Sequence, residues 1–168
     1  MAEAPVAGDG FERVVSPAFP VVDGRGHTYS LPFLGGVDAP RPQLADIDGD
    51  GDHDLFLQAY SNNLWFFENT GSAATPRYVW RTDRYRDLDI GEWYRFVDLD
   101  ADGDLDLLAE HQFSHVRFYR NTGSGTAPAF QYVDSLRDAQ GAAMFVDRQN
   151  IPALVDLDCD RRLDLFIG

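Results

Sequence analysis

The sequence predicts an all-β fold built from repeated four-stranded units, and three observations carry that reading. Acidic residues gather in three clusters: Asp46, Asp48, Asp50, Asp52 and Asp54; then Asp98, Asp100, Asp102, Asp104 and Asp106, shifted by 52; then Asp156, Asp158, Asp160 and Asp164, shifted by a further 58. Sliding residues 46–80 onto 98–132 without a gap gives 13 identities in 35 positions, among them Gly51/Gly103, Phe66/Phe118, Pro76/Pro128 and the runs Asn69-Thr70-Gly71-Ser72 and Asn121-Thr122-Gly123-Ser124. Between the clusters lie short apolar and aromatic runs bounded by Gly, Asn, Asp and Pro, with no helical period. Internal repetition of this kind decides the fold before any single element does.

Taken in order, each unit reads as four strands. The first precedes the acidic cluster: Gln43-Leu44-Ala45, Tyr94-Arg95-Phe96-Val97 and Ala153-Leu154-Val155. The second follows it at once, in Leu55-Phe56-Leu57, Leu105-Asp106-Leu107-Leu108 and Leu163-Asp164-Leu165-Phe166-Ile167. Leu64-Trp65-Phe66-Phe67 and Val116-Arg117-Phe118-Tyr119 form the third, ended by the Asn-Thr-Gly turn. Tyr78-Val79-Trp80 and Phe130-Gln131-Tyr132-Val133 form the fourth, entered after a proline. Four short strands in about 50 residues is the spacing of a β-propeller blade. The expected division is 1–39 as a leading outer strand (near Phe19, where Ser16-Pro17-Ala18-Phe19 echoes Ala127-Pro128-Ala129-Phe130) and linker, 40–91 and 92–149 as blades, and 150–168 as the start of a third. Two full blades plus partial ones fall short of the four to eight that close a ring. The expectation is a segment of a longer protein or a unit whose copies complete a homo-oligomeric ring.

Composition narrows the function. The 168 residues carry 14 Lys and Arg against 28 Asp and Glu, a formal charge of −14, which argues against nucleic acid as a partner. Mean hydropathy is −0.33 and no apolar run approaches a membrane span. The lone Cys159 excludes an intramolecular disulfide framework, and no basic-then-apolar signal segment opens the chain. Twenty-two aromatic residues supply a core that disordered chains lack.

Five carboxylates in nine residues repel one another unless something neutralises them, and a hard cation with oxygen ligands does so directly. The pattern is D-x-D-x-D-G-x-x-D. Its side-chain ligand candidates are Asp46, Asp48, Asp50 and Asp54 in loop one, and Asp98, Asp100, Asp102 and Asp106 in loop two. Asp52 and Asp104, at position seven, are expected to contribute through their backbone carbonyls, and Gly51 and Gly103 mark a tight turn where a side chain is costly. All-oxygen donors with high charge select Ca²⁺ over Zn²⁺. An EF-hand would need Glu at position twelve and flanking helices; Leu57 and Ala109 stand there. Loop three keeps Asp156, Asp158, Asp160 and Asp164 but has Cys159, Arg161 and Arg162 between them. There a guanidinium either takes the place of the cation or points away and leaves a weakened site.

Residues 46–56 and 98–108 resemble the calcium loops of FG-GAP/VCBS-type repeats, the blades of integrin α-chain-like β-propellers. The Asn-Thr-Gly turns followed by Pro and an aromatic are similar to a bacterial branch of that group, and Ala39-Pro40 is loosely similar to its Ala-Pro element. The resemblance spans roughly residues 16–168. It implies a calcium-stabilised propeller, extracellular or at the cell surface, used in adhesion or in binding a protein or carbohydrate ligand.

Signs of catalysis are lacking. The sequence contains no G-x-S-x-G, P-loop, H-E-x-x-H or C-x-x-C. His53 falls at a loop position where Leu105 stands in the repeat, and His111 and His115 read as exposed turn residues. The recurring aromatics (Phe66, Phe67, Trp80 and their mates) read as packing. Tyr60, Trp65 and Trp93 do not recur as aromatics and are candidates for a stacking surface, although core packing is the commoner fate of such residues. The expectation is a non-catalytic binding or structural module. The competing readings are the propeller part of a carbohydrate-active enzyme such as a polysaccharide lyase, whose catalytic residues lie elsewhere, and a self-assembling ring unit.

Overall fold

Strand-forming runs alternate with tight turns along this chain, and a computed structural model describes residues 13–16, 18–111, 114–146, 151–160 and 162–167. It divides into a unit of residues 1–37 and a unit of residues 38–168. In the first, β1 (Val21–Val22) and β2 (Thr28–Tyr29) form a small antiparallel hairpin. Its turn is held by Asp23, whose Oδ1 accepts from the backbone N–H groups of Arg25 (2.8 Å) and His27 (2.9 Å). The expected outer strand near Phe19 is displaced: Phe19 lies in a bend, 62% exposed, with its ring edge-to-face against Phe33. Part of the Ser16–Phe19 echo, Pro17, lies outside the described residues, as do Arg161 and Gly168.

The second unit holds the repeats. Strands β3 (Arg41–Ala45), β4 (Asp54–Tyr60), β5 (Asn63–Asn69) and β6 (Tyr78–Thr82) form one antiparallel sheet in chain order. After a short 3₁₀ turn at Tyr85–Asp87, β7 (Tyr94–Val97), β8 (Asp106–His111), β9 (His115–Asn121) and β10 (Phe130–Ser135) repeat the arrangement. Strands β11 (Ala153–Val155) and β12 (Asp164–Phe166) pair as the opening of a third sheet. These are propeller-type blades. The antiparallel order places the acidic loops (β3 to β4, β7 to β8) and the Asn-Thr-Gly turns (β5 to β6, β9 to β10) at one end of the blades. The hairpins and blade-to-blade connections lie at the other.

Strand alternation sends side chains to both faces of each blade. Phe56, Leu64 and Phe66 from blade one meet Phe96, Leu107, Ala109 and Tyr119 from blade two in one core, closed by Tyr85 and Ile90 from the connection. The rings of Phe66, Tyr85 and Phe96 lie 4.5–5.0 Å from that of the fully buried Phe56. On the other face of blade two, Leu108, Val116, Trp93 and Val146 form a second core that Leu154 and Ile167 join. A side-chain amide reinforces the first interface. Gln43 Nε2 donates to the carbonyl of Phe96 (2.8 Å) and Gln43 Oε1 accepts from its N–H (2.9 Å), so one side chain satisfies both backbone groups of the neighbouring innermost strand.

Trp65 and Trp93 are buried, which removes them as stacking platforms, while Tyr60 is 66% exposed. His111 and His115 face each other as a cross-strand pair closing the β8–β9 hairpin, His111 exposed and His115 half-buried against the Ser114 hydroxyl. Phe56→Ala empties the centre of the inter-blade aromatic cluster and is expected to cost about 3–4 kcal/mol. Tyr60→Ala, at an exposed position, is expected to change stability by less than about 0.5 kcal/mol. Urea denaturation of both variants checks the contrast.

Candidate metal loops

The acidic loops are turned by their own carboxylates. In loop one Asp46 Oδ2 accepts from the N–H of Gly51 (3.1 Å) and Asp50 Oδ1 from that of Asp52 (2.9 Å). In loop two Asp98 accepts from the N–H groups of Asp102 (3.2 Å) and Gly103 (3.0 Å), and Asp102 from that of Asp104 (2.9 Å). In loop three Asp160 N–H donates to Asp156 (3.0 Å) and Asp158 (3.1 Å). Gly51 and Gly103 adopt φ of 91° and 94°, and open space surrounds the point where a Cβ would sit, so backbone conformation rather than crowding favours glycine there. Position four is also left-handed in every loop: Gly49 at 69°, Ala101 at 61° and Cys159 at 62°. The sequence hides this, since only loop one has glycine at that position.

This winding gathers oxygens. One carboxylate oxygen each from Asp46, Asp48 and Asp50 lie within 4.8 Å of one another, as do those of Asp98, Asp100 and Asp102, and of Asp156, Asp158 and Asp164. Asp160 is turned aside: its Oδ2 accepts from Nε of Arg162 at 2.8 Å, and that guanidinium holds its pKa below the usual carboxylate range. Arg162 pairs with Asp160 alone and is itself 86% exposed, while Asp156, Asp158 and Asp164 stay gathered; Arg161 lies outside the described residues.

Position nine does a second job. Asp54, at the start of β4 and 2% exposed, accepts the N–H of Asn69 at 2.7 Å, and Asp106 accepts that of Asn121 at 2.8 Å. Each Asn then organises the next turn. Asn69 Oδ1 accepts from Gly71 (3.0 Å) and Arg77 (2.7 Å); Asn121 Oδ1 accepts from Gly123 (3.0 Å) and Ala129 (2.8 Å). The Thr70 and Thr122 hydroxyls donate to the carbonyls of Arg77 and Ala129. A Cβ on Gly71 would stand 2.3 Å from the carbonyl oxygen of Thr75, which explains the glycine of the motif. The Asn side chains were legible as a repeated motif but not as partners of the acidic loop.

Loop one carries an electrostatic deficit. Asp46 Oδ1, Asp52 Oδ1 and Asp54 Oδ2 are buried with no hydrogen-bond partner. Burial pushes the Asp54 carboxyl up to about 7, reinforced by Asp48, Asp50 and Asp52, and burial likewise raises the pKa of Asp48, Asp52 and Asp106. Of the three residues with unpartnered oxygens, Asp46 belongs to the gathered triad, and Asp52 and Asp54 lie outside it. Unpartnered acceptors in so acidic a loop fit a hard divalent cation, which satisfies lone pairs and charge together.

Two expectations follow from this geometry. Without cations, folded Asp54 holds its proton at pH values where the unfolded chain has released it. Stability of the chain in EDTA therefore falls as pH rises from about 4 to about 7, which thermal melts across that window would reveal. Asn69→Ala removes the acceptor of two part-buried hydrogen bonds, from the N–H groups of Gly71 and Arg77, and is expected to cost about 1–2 kcal/mol, read by chemical denaturation.

Residues 46–109 and 98–167 match the model of the FG-GAP-like repeat. Neither the curated proteins nor the solved structures contain a match. No helix among the described residues is long and apolar enough to cross a membrane. With the repeat matched over most of its length and its strands arranged as propeller-type blades, the chain belongs to the FG-GAP-like repeat family.

Proposed function

We propose that this chain is a calcium-binding β-propeller module that works outside the cell in adhesion, ligand binding or a structural role, with no catalysis of its own. The observation that carries the reading is the set of three buried carboxylate oxygens in loop one, on Asp46, Asp52 and Asp54, that no donor of the protein satisfies. A purely structural acidic turn would pair or expose such atoms. Asp46, Asp48, Asp50 and the free oxygen of Asp54 would hold the ion in loop one, and Asp98, Asp100 and Asp102 in loop two.

Bound calcium supplies charge neutralisation and oxygen coordination, with no redox or acid–base chemistry. The protein's own part is to fix the ligands at the junction of the two inner strands of each blade and, through Asp54 and Asp106, to pass that order to the Asn-Thr-Gly turns. An extracellular setting accords with the family resemblance and with calcium levels that fill even sites of about 10⁻⁴–10⁻³ M. The absence of a catalytic motif in the sequence supports a binding role, with a protein or carbohydrate as the partner.

Melting the chain in 2 mM CaCl₂ and in EDTA tests the reading. Two sites of about 10⁻⁴ M are expected to raise Tm by roughly 5–10 °C. Asp50→Ala combined with Asp102→Ala is expected to abolish most of that rise. Equal melting of the wild type in both buffers, with no calcium heat by calorimetry, would sink the proposal.

A further inference from the structure

We propose that the loops are graded in calcium affinity, loop one binding more tightly than loop two and loop three most weakly, and that arginines supplied by the blades set the grade. The inference rests on the calcium reading above and concerns how this chain tunes it. The repeat places Glu68 and Arg120 at the same position, near the end of the third strand of each blade. In blade two Arg120 reaches its own loop: its Nε stands 3.3 Å from Asp100 Oδ2, on one of the three gathered carboxylates. In blade one the equivalent Glu68 adds its negative field to that at Asp48, and is itself paired with Arg81, whose counterpart in blade two is the uncharged Val133.

The ion pairs of the described residues leave all five carboxylates of loop one untouched. Loop two has one internal cation on a gathered ligand. Loop three has one fewer carboxylate and diverts Asp160 to Arg162. The hydrogen-bond pattern independently sets loop one apart from the other two. Asp54 Oδ2 has no partner, whereas its equivalent Asp106 Oδ2 accepts from the N–H of Leu99 at 3.3 Å and Asp164 Oδ2 from that of Leu157 at 3.0 Å. Calcium affinity follows the charge of the ligand set, and a guanidinium on a ligand must be displaced or tolerated by the incoming ion. Arg120 is half-exposed, so its effect is an electrostatic adjustment that salt will screen.

Calcium titration calorimetry on the full chain at low ionic strength tests this through single-loop variants. Asp102→Ala, which leaves loop one intact, is expected to retain a Kd about tenfold lower than that retained by Asp50→Ala, which leaves loop two. In the Asp50→Ala background, Arg120→Glu and the milder Arg120→Gln are expected to tighten the tighter of the two remaining sites, loop two, by roughly tenfold and roughly threefold respectively at low salt. Both effects are expected to shrink in about 0.5 M KCl. Circular dichroism checks that each variant is folded, and Arg120→Gln keeps the test usable if the charge reversal is not. Equal affinities for the two single-loop variants, or no change on replacing Arg120, would overturn the grading while leaving calcium binding intact. Absence of calcium binding by the wild type would instead overturn the reading on which it rests.

Discussion

The fold of each blade hangs on one hydrogen bond between a buried carboxylate and a backbone amide: Asp54 with Asn69, and Asp106 with Asn121. The carboxylate closes the acidic loop, and the amide begins the turn into the outermost strand. Because the Asn side chain then serves the amides of the turn and of the next strand, a single chain of contacts runs from the loop between the first two strands to the start of the fourth. A blade whose acidic loop is disturbed therefore loses definition at its outer edge as well as at its inner one.

That link also explains why acidic loop and Asn-Thr-Gly turn recur together in the sequence. They are distant in the chain but adjacent at one end of the sheet. The aromatic core between blades is less demanding: Phe66 and Phe118 recur, yet Phe56 is matched by Leu108 and Trp65 by Arg117. Packing tolerates such exchanges when volume is made up by neighbours, whereas a turn fixed by two amides on one oxygen tolerates none.

Much of the fold was legible for the same reason. The 52-residue shift that aligns the acidic clusters also carries Asp54–Ala59 of β4 onto Asp106–His111 and Asn63–Asn69 onto His115–Asn121 as strands. What the sequence concealed were features that do not repeat. Gln43 looks like an ordinary polar strand residue until Phe96 is seen beside it. Ala101 and Cys159 give no sign of left-handed backbone, because only glycine or asparagine would announce it. Phe19 is aromatic, follows a proline and resembles a strand of the repeat, but forms a bend, since likeness over so few residues does not fix a sheet partner. Of the candidate site, the residue types and their spacing were readable. Which oxygens lack partners, and where Arg120 and Arg162 reach, depended on three-dimensional placement.

The amide clamp of Gln43 bears on how interchangeable the units are. Its counterpart in the second repeat is Arg95, whose guanidinium donates to the carbonyl of Tyr94 in its own strand. The third repeat has Ala153 at that position. The seam between blades one and two is therefore written for that seam alone. A tandem array made from copies of the second unit would set an arginine where an amide has to supply both a donor and an acceptor, so the units are modular in architecture but fixed in order.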